Sequence, residues 1–151
     1  MGKSGEKTMF IGQYEHSVDQ KGRLAIPSKF RKGLSDGAVA TRGLDGCLFL
    51  FSRSKWQKIA ESVGQLPETK SSARVYARLI LAGASELEFD NQGRAIIPGY
   101  LRKYAGIGSS AVVIGLYDRL EIWSKTKWNK YVEKNEAKAA EIVEELSNFE
   151  Y

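Results

Sequence analysis

An aspartate four residues ahead of an arginine, with a glycine between them, is the most suggestive chemistry in this sequence. In Asp19-Gln20-Lys21-Gly22-Arg23 the carboxylate can accept backbone N–H groups across a tight turn, and glycine can take the positive φ that such a turn asks for. The two charges can then meet across the turn as a structural salt bridge. The same arginine stands among Lys21, Lys29, Arg31 and Lys32, with Asp19 the single acid from 19 to 32, so the segment can equally attract a polyanion. Enzyme chemistry has few parts to work with. Cys47 is the one cysteine and cannot form an internal disulfide; its neighbours Leu48 to Phe51 predict an inert core thiol. His16 is the one histidine, in the alternating stretch Gln13 to Val18, and reads as an ordinary strand side chain. Nitrogen and sulfur ligands are too few for zinc, and neither a Ser-His-Asp nor a Cys-His arrangement has a partner in view. Gly22 and Gly93 occur without a P-loop or dinucleotide fingerprint. No catalytic residue, metal, cofactor or small-molecule substrate is expected.

The chain has 151 residues, 42% apolar and 27% charged, the range of a single globular domain or two very small ones. Its longest apolar runs, Cys47 to Phe51 and Leu79 to Ala82, fall far short of the roughly 20 residues of a membrane crossing. The first eight residues are polar and lack the apolar region of an export signal, which predicts a cytoplasmic protein. Net charge is +5, with an isoelectric point near 9.3. The charge is unevenly placed: residues 1–75 hold 13 basic and 7 acidic side chains, residues 76–151 hold 10 and 11. The basic character therefore belongs to the first half.

The sequence repeats itself once. Asp19-Gln20-Lys21-Gly22-Arg23-Leu24-Ala25-Ile26-Pro27 returns as Asp90-Asn91-Gln92-Gly93-Arg94-Ala95-Ile96-Ile97-Pro98, and Phe30-Arg31-Lys32 as Leu101-Arg102-Lys103. With one residue inserted, Leu48 to Ser52 and Trp56 match Leu120 to Ser124 and Trp128. Each unit reads as strand, hairpin-like D-x-x-G-R turn, strand, Pro-started short helix and two more strands. Gly33 and Gly106 are expected to stop the short helices. Trp56, Ile59, Ala60 and Val63, then Ala73, Tyr76, Ala77, Ile80 and Leu81, recur at helical spacing, with Pro67 between the two helices. Beyond Ser124 a single long helix is expected, carrying Trp128, Tyr131, Val132, Ile142, Val143 and Leu146. The organisation is then a polar N-terminal extension or tag (1–8), a first unit (9–52), a bridging helical pair (53–83), a second unit (84–124) and a C-terminal helix and tail (125–151).

Met9-Phe10-Ile11-Gly12, the two D-x-x-G-R runs, Arg74-Val75-Tyr76-Ala77-Arg78 and Ala84-Ser85-Glu86 resemble the MraZ family over residues 9 to 147. The resemblance implies an α+β fold: two tandem AbrB-like (SpoVT-AbrB) swapped-hairpin units forming a pseudo-two-fold barrel, with flanking helices. It also implies a ring-like homo-oligomer, associated with the nucleoid, that binds double-stranded DNA. The family is a transcriptional regulator of the bacterial division and cell-wall gene cluster, its own gene included, and recognises short direct repeats upstream.

For such a protein the expected DNA-binding residues are Lys21, Gly22 and Arg23 in the first turn, with Lys29, Arg31 and Lys32 on the helix after it. A hairpin-like turn can enter a major groove about 12 Å wide, where Arg or Lys reads guanine O6 and N7. The helix cations would hold phosphates and set register. Asp19, Asp90, Gly93 and Arg94 are expected to be structural, because the second copy follows Glu86 and Glu88 and has fewer cations near it. Arg74 and Arg78, one helical turn apart, are expected to meet acids such as Glu86 or a neighbouring subunit. The competing function is a ring-forming scaffold or a protein-partner module without specific DNA readout.

Overall fold

The computed structural model describes residues 9–148; the expected extension at 1–8 and residues 149–151 lie outside the described residues. Eight strands are formed among the described residues: β1 (Phe10–Ser17), β2 (Arg23–Ala25), β3 (Ala38–Arg42), β4 (Leu48–Ser52), β5 (Ser85–Leu87), β6 (Arg94–Ile96), β7 (Ser110–Tyr117) and β8 (Leu120–Ser124). Six make one antiparallel sheet in the order β1-β7-β8-β4-β3-β5, and β2 with β6 makes a separate two-stranded ribbon. The hairpins are swapped. β1 of the first unit pairs with β7 of the second, Phe10 opposite Tyr117 through Ser17 opposite Ser110, while β5 of the second unit pairs with β3 of the first.

A pseudo-two-fold axis follows from the registers alone. Phe49 stands opposite Glu121 between β4 and β8, and Leu24 opposite Ala95 in the ribbon. In both cases the paired residues are each other's counterparts in the repeat. The sheet has two edges, β1 and β5, and stays open, with the ribbon packed on its inner face.

One core joins the units. Leu24, Ile26, Phe30 and Leu34 from the first, and Ala95, Ile97, Leu101 and Ala105 from the second, meet Leu48, Leu50, Leu120 and Ile122 from the central strands. Phe30 is fully buried and takes Phe10 and Tyr14 edge-on, at 5.9 and 5.2 Å between ring centres. Removing a side chain of that size from such a site costs roughly 3–5 kcal/mol. Neither unit could bury its own face alone, because the strand completing each sheet half comes from the other.

The helices are α1 (Ser28–Arg31), α2 (Arg53–Gly64), α3 (Ser71–Ala82), α4 (Gly99–Ala105), α5 (Lys125–Glu136) and α6 (Ala139–Glu145). Pro27 and Pro98 sit at the N-caps of α1 and α4. Ser52 and Ser124 cap α2 and α5, their hydroxyls accepting the N–H groups of Lys55 and Lys127. Gly106 ends α4 in the left-handed region at φ 66, as expected, but Gly33 is no stop. It lies inside a 3-10 turn, Lys32–Leu34, that prolongs α1, and the reversal falls at Gly37, φ 118.

The expected single C-terminal helix is two. Asn135 donates its side-chain amide to the Tyr131 carbonyl at 2.7 Å, competing for the acceptor of the helix's own i to i−4 bond, and Lys138 leaves helical geometry. The Lys134–Lys138 stretch also lacks an apolar face that could hold the turn by packing. No helix among the described residues is long and apolar enough to cross a membrane.

Candidate nucleic-acid interface

The two D-x-x-G-R turns are built alike. Asp19 Oδ1 accepts the N–H groups of Lys21 (3.0 Å) and Arg23 (2.9 Å), and its Oδ2 receives Arg23 Nε at 2.5 Å. Asp90 Oδ1 accepts Gln92 and Arg94 (2.9 and 3.0 Å), and its Oδ2 receives Arg94 Nε at 2.9 Å. The N–H groups of Gly22 and Gly93 return to the Asp19 and Asp90 carbonyls, closing each turn at φ 85 and φ 75. The arginine N–H bonds hold both carboxyls below the ordinary carboxylate range, the arginine side chains adding to the effect.

Each clamp takes Nε alone. Among the described residues no hydrogen bond engages the terminal Nη atoms of Arg23 or Arg94. The carboxylate thereby orients a guanidinium whose two-pronged end remains available, the geometry that pairs with two acceptors at once. The salt bridge and a binding role for Arg23 are geometrically compatible.

The ribbon places both turns on one surface. Leu24 and Ala95 face the core, so strand alternation turns Arg23, Ala25, Arg94 and Ile96 outward together. Arg31 and Arg102 brace this arrangement crosswise. Arg31 Nε donates to Ile26 O and its guanidinium lies over Gly93, while Arg102 Nε donates to Ile97 O and lies over Gly22, both bonds 2.9 Å. A Cβ on Gly22 would come within 2.6 Å of Arg102 Nε and 2.7 Å of Ile97 O. Backbone conformation favours glycine at both turns, and at Gly22 the approach of the Ile97 carbonyl requires it as well.

The six residues expected to bind DNA are thus not all neighbours. Lys21, Gly22 and Arg23 form the first turn, joined on the same face by Gly93 and Arg94 of the second. Arg31, half-buried, has its Nε occupied within the protein. Lys29 points over the Tyr14 ring on β1, 5.8 Å from its centre. Lys32 lines a separate cleft of about 410 Å³ with Ser54, Lys55, Lys58 and Asp118. Glu86 pairs with Arg53 at 3.0 Å instead of meeting Arg74 or Arg78, and Arg74 donates to Glu68 O. Cys47 is buried, and desolvation pushes its thiol up to about 12.

Arg102 and Ile96 were missed as parts of the site. The signal for Arg102 was present, since it matches Arg31 in the repeat. Nothing in the sequence marks Ile96 as outward, because Ala95-Ile96-Ile97 reads simply as an apolar strand.

The family model described as "MraZ protein, putative antitoxin-like" matches the chain twice, at residues 9–79 and 80–149. The chain belongs to the MraZ family. Similar MraZ proteins, each named "Transcriptional regulator MraZ", occur in Natranaerobius thermophilus (48% identical over 142 residues) and Caldanaerobacter subterraneus subsp. tengcongensis (48% over 141). Another, from Heliobacterium modesticaldum, is 42% identical over 142 residues. The alignments cover 93–94% of this chain and 99% of each relative. The two family matches meet between Leu79 and Ile80, so the division of the chain falls inside α3, between the two swapped halves.

Proposed function

We propose that this protein is a transcriptional regulator that binds double-stranded DNA sequence-specifically through the outward face of the β2-β6 ribbon and its two flanking turns. The observation that carries this reading is the pair of arginines, each held at Nε by an aspartate with its terminal nitrogens unengaged among the described residues, set diagonally on the outward face of a two-stranded ribbon. A major groove about 12 Å wide admits such a ribbon, and bidentate Arg contact to guanine O6 and N7 is its commonest specific readout. Lys21 adds charge at the first turn. Lys29 and Lys32, farther out, are phosphate contacts that set affinity and register.

Arg94 is given a reading role beside its structural one, because its Nε clamp repeats that of Arg23. The targets are short direct repeats upstream of the division and cell-wall gene cluster, including this protein's own gene. The setting is the cytoplasm, at the nucleoid, and the working form is a closed homo-oligomer.

The test is titration on the DNA upstream of the protein's own gene and on a scrambled duplex. Arg23→Ala and Arg94→Ala should each weaken specific binding by about 1–3 kcal/mol while the protein stays folded. Lys29→Ala and Lys32→Ala should weaken both duplexes alike and lower the salt slope by about one each. If no upstream segment is protected at moderate salt, the protein-scaffold function takes the place of this one.

A further inference from the structure

The outward ribbon face carries an apolar side chain between its two arginines. Ile96 is 55% exposed and stands directly across from Arg23, while its strand neighbours Ala95 and Ile97 are fully buried. The bonds Ile97 N to Gly22 O and Ile26 N to Gly93 O fix the alternation along the ribbon. They make Arg23 with Ile96, and Ala25 with Arg94, the non-hydrogen-bonded pairs, whose side chains stand closest. Ile96 therefore shares its immediate surroundings with the arginine offered to a base edge. Its counterpart across the pseudo-axis, Ala25, is shorter and only half exposed, so the two ends of the ribbon are alike in cation and unlike in apolar reach.

A major groove presents hydrogen-bonding edges and a single kind of apolar group, the 5-methyl of thymine. We propose that Ile96 is a specificity-determining residue that packs on a thymine methyl beside the guanine taken by Arg23. The inference rests on the DNA-reading function of the ribbon and adds a second base type to it. The Ala25 end carries no matching requirement, so the two halves of the ribbon demand different bases although their arginines are equivalent. The pseudo-symmetric protein then binds a repeat in one direction only.

The probe is a duplex selected by the full-length protein from a randomised pool, resynthesised with each thymine replaced in turn by deoxyuridine, which removes the methyl and leaves every hydrogen-bonding group in place. At one position the wild-type protein should lose about three- to fivefold in affinity, the size of one buried methyl. Ile96→Ala should bind thymine and uracil duplexes equally, and Ile96→Val should keep part of the preference. Arg23→Ala should be weak on both. Matched melting curves for Ile96→Ala and wild type confirm that an exposed site was changed without unfolding.

Uracil without effect at every position overturns the proposal, and so does a uracil effect as large in Ile96→Ala as in wild type. In either case a selected duplex that still depends on Arg23 leaves the DNA-reading function standing. A protein that selects no sequence at all overturns both.

Discussion

Asp19 and Asp90 each use one oxygen to shape a turn and the other to aim a guanidinium. An amide in the same place would keep a turn acceptor and lose the ionic grip on Nε. Asp19→Asn should therefore reduce specific DNA binding nearly as much as Arg23→Ala, with a smaller change in melting temperature; operator titration beside thermal melts measures both. Acid should act on the same groups. Both carboxyls are held below their ordinary range when folded, so the stability they contribute is present above the unfolded value and is lost as pH falls through the lowered one. On acidification through the carboxylate range the wild-type protein should lose more stability than the Asp19→Asn, Asp90→Asn double variant. Parallel curves for the two proteins would show that the clamps hold the arginines without supporting the fold.

At the scale of elements, the two turns depend on one another. Each is backed by an arginine from the helix of the other turn's unit, and each glycine lies under that arginine. Gly22→Ala has two penalties: an L-residue at φ 85, and a Cβ crowding a backbone carbonyl that cannot move without disturbing β6. It should cost about 2–4 kcal/mol by urea denaturation. Gly64, the last residue of α2, has no atom within 4 Å of an added Cβ. Gly64→Ala should be neutral or stabilising by up to about 1 kcal/mol. A Gly22→Ala variant as stable as Gly64→Ala would show that neither the positive φ nor the crosswise brace requires glycine at the turn.

For the whole molecule, the swapped pairing leaves unpartnered surface at the edge of the sheet. β1 is an edge strand of eight residues, and Ile11 with its neighbour Leu116 is exposed beside it. Val75 and Leu79 are exposed along α3. An unpaired edge next to apolar side chains is a template for association, and the expected outcome is a homo-oligomer at micromolar concentration, measured by sedimentation. Such an assembly offers several ribbons at once. An array of repeats should then bind about 100- to 10,000-fold more tightly than one repeat on a fragment of equal length. A monomer in solution, or equal affinity for one repeat and several, would remove the assembly and its avidity together.

The duplication, the hairpin-like turns, the Pro-capped helices and the α2–α3 pair were legible from residue types and spacing, because each is a local matter of φ preference, alternation or helical period. The Asp-Arg salt bridge was legible for the same reason: four residues across a tight turn leave it little choice. The family was legible from the doubled motif. Tertiary structure decided the rest. Charge counting grouped Lys29, Arg31 and Lys32 with Arg23, yet the structure sends the first over Tyr14, the second onto the opposite turn and the third into another cleft, since a short helix points its neighbours in different directions. Helical period predicted one C-terminal helix, and the chain leaves helical geometry at Lys138, beyond Asn135, whose amide bonds the Tyr131 carbonyl, in a stretch with no apolar face to hold the turn. Only the swapped pairing of β2 with β6 puts Arg94 and Ile96 beside Arg23, from 71 and 73 residues away in the chain, because which strands meet is set by burying one shared core.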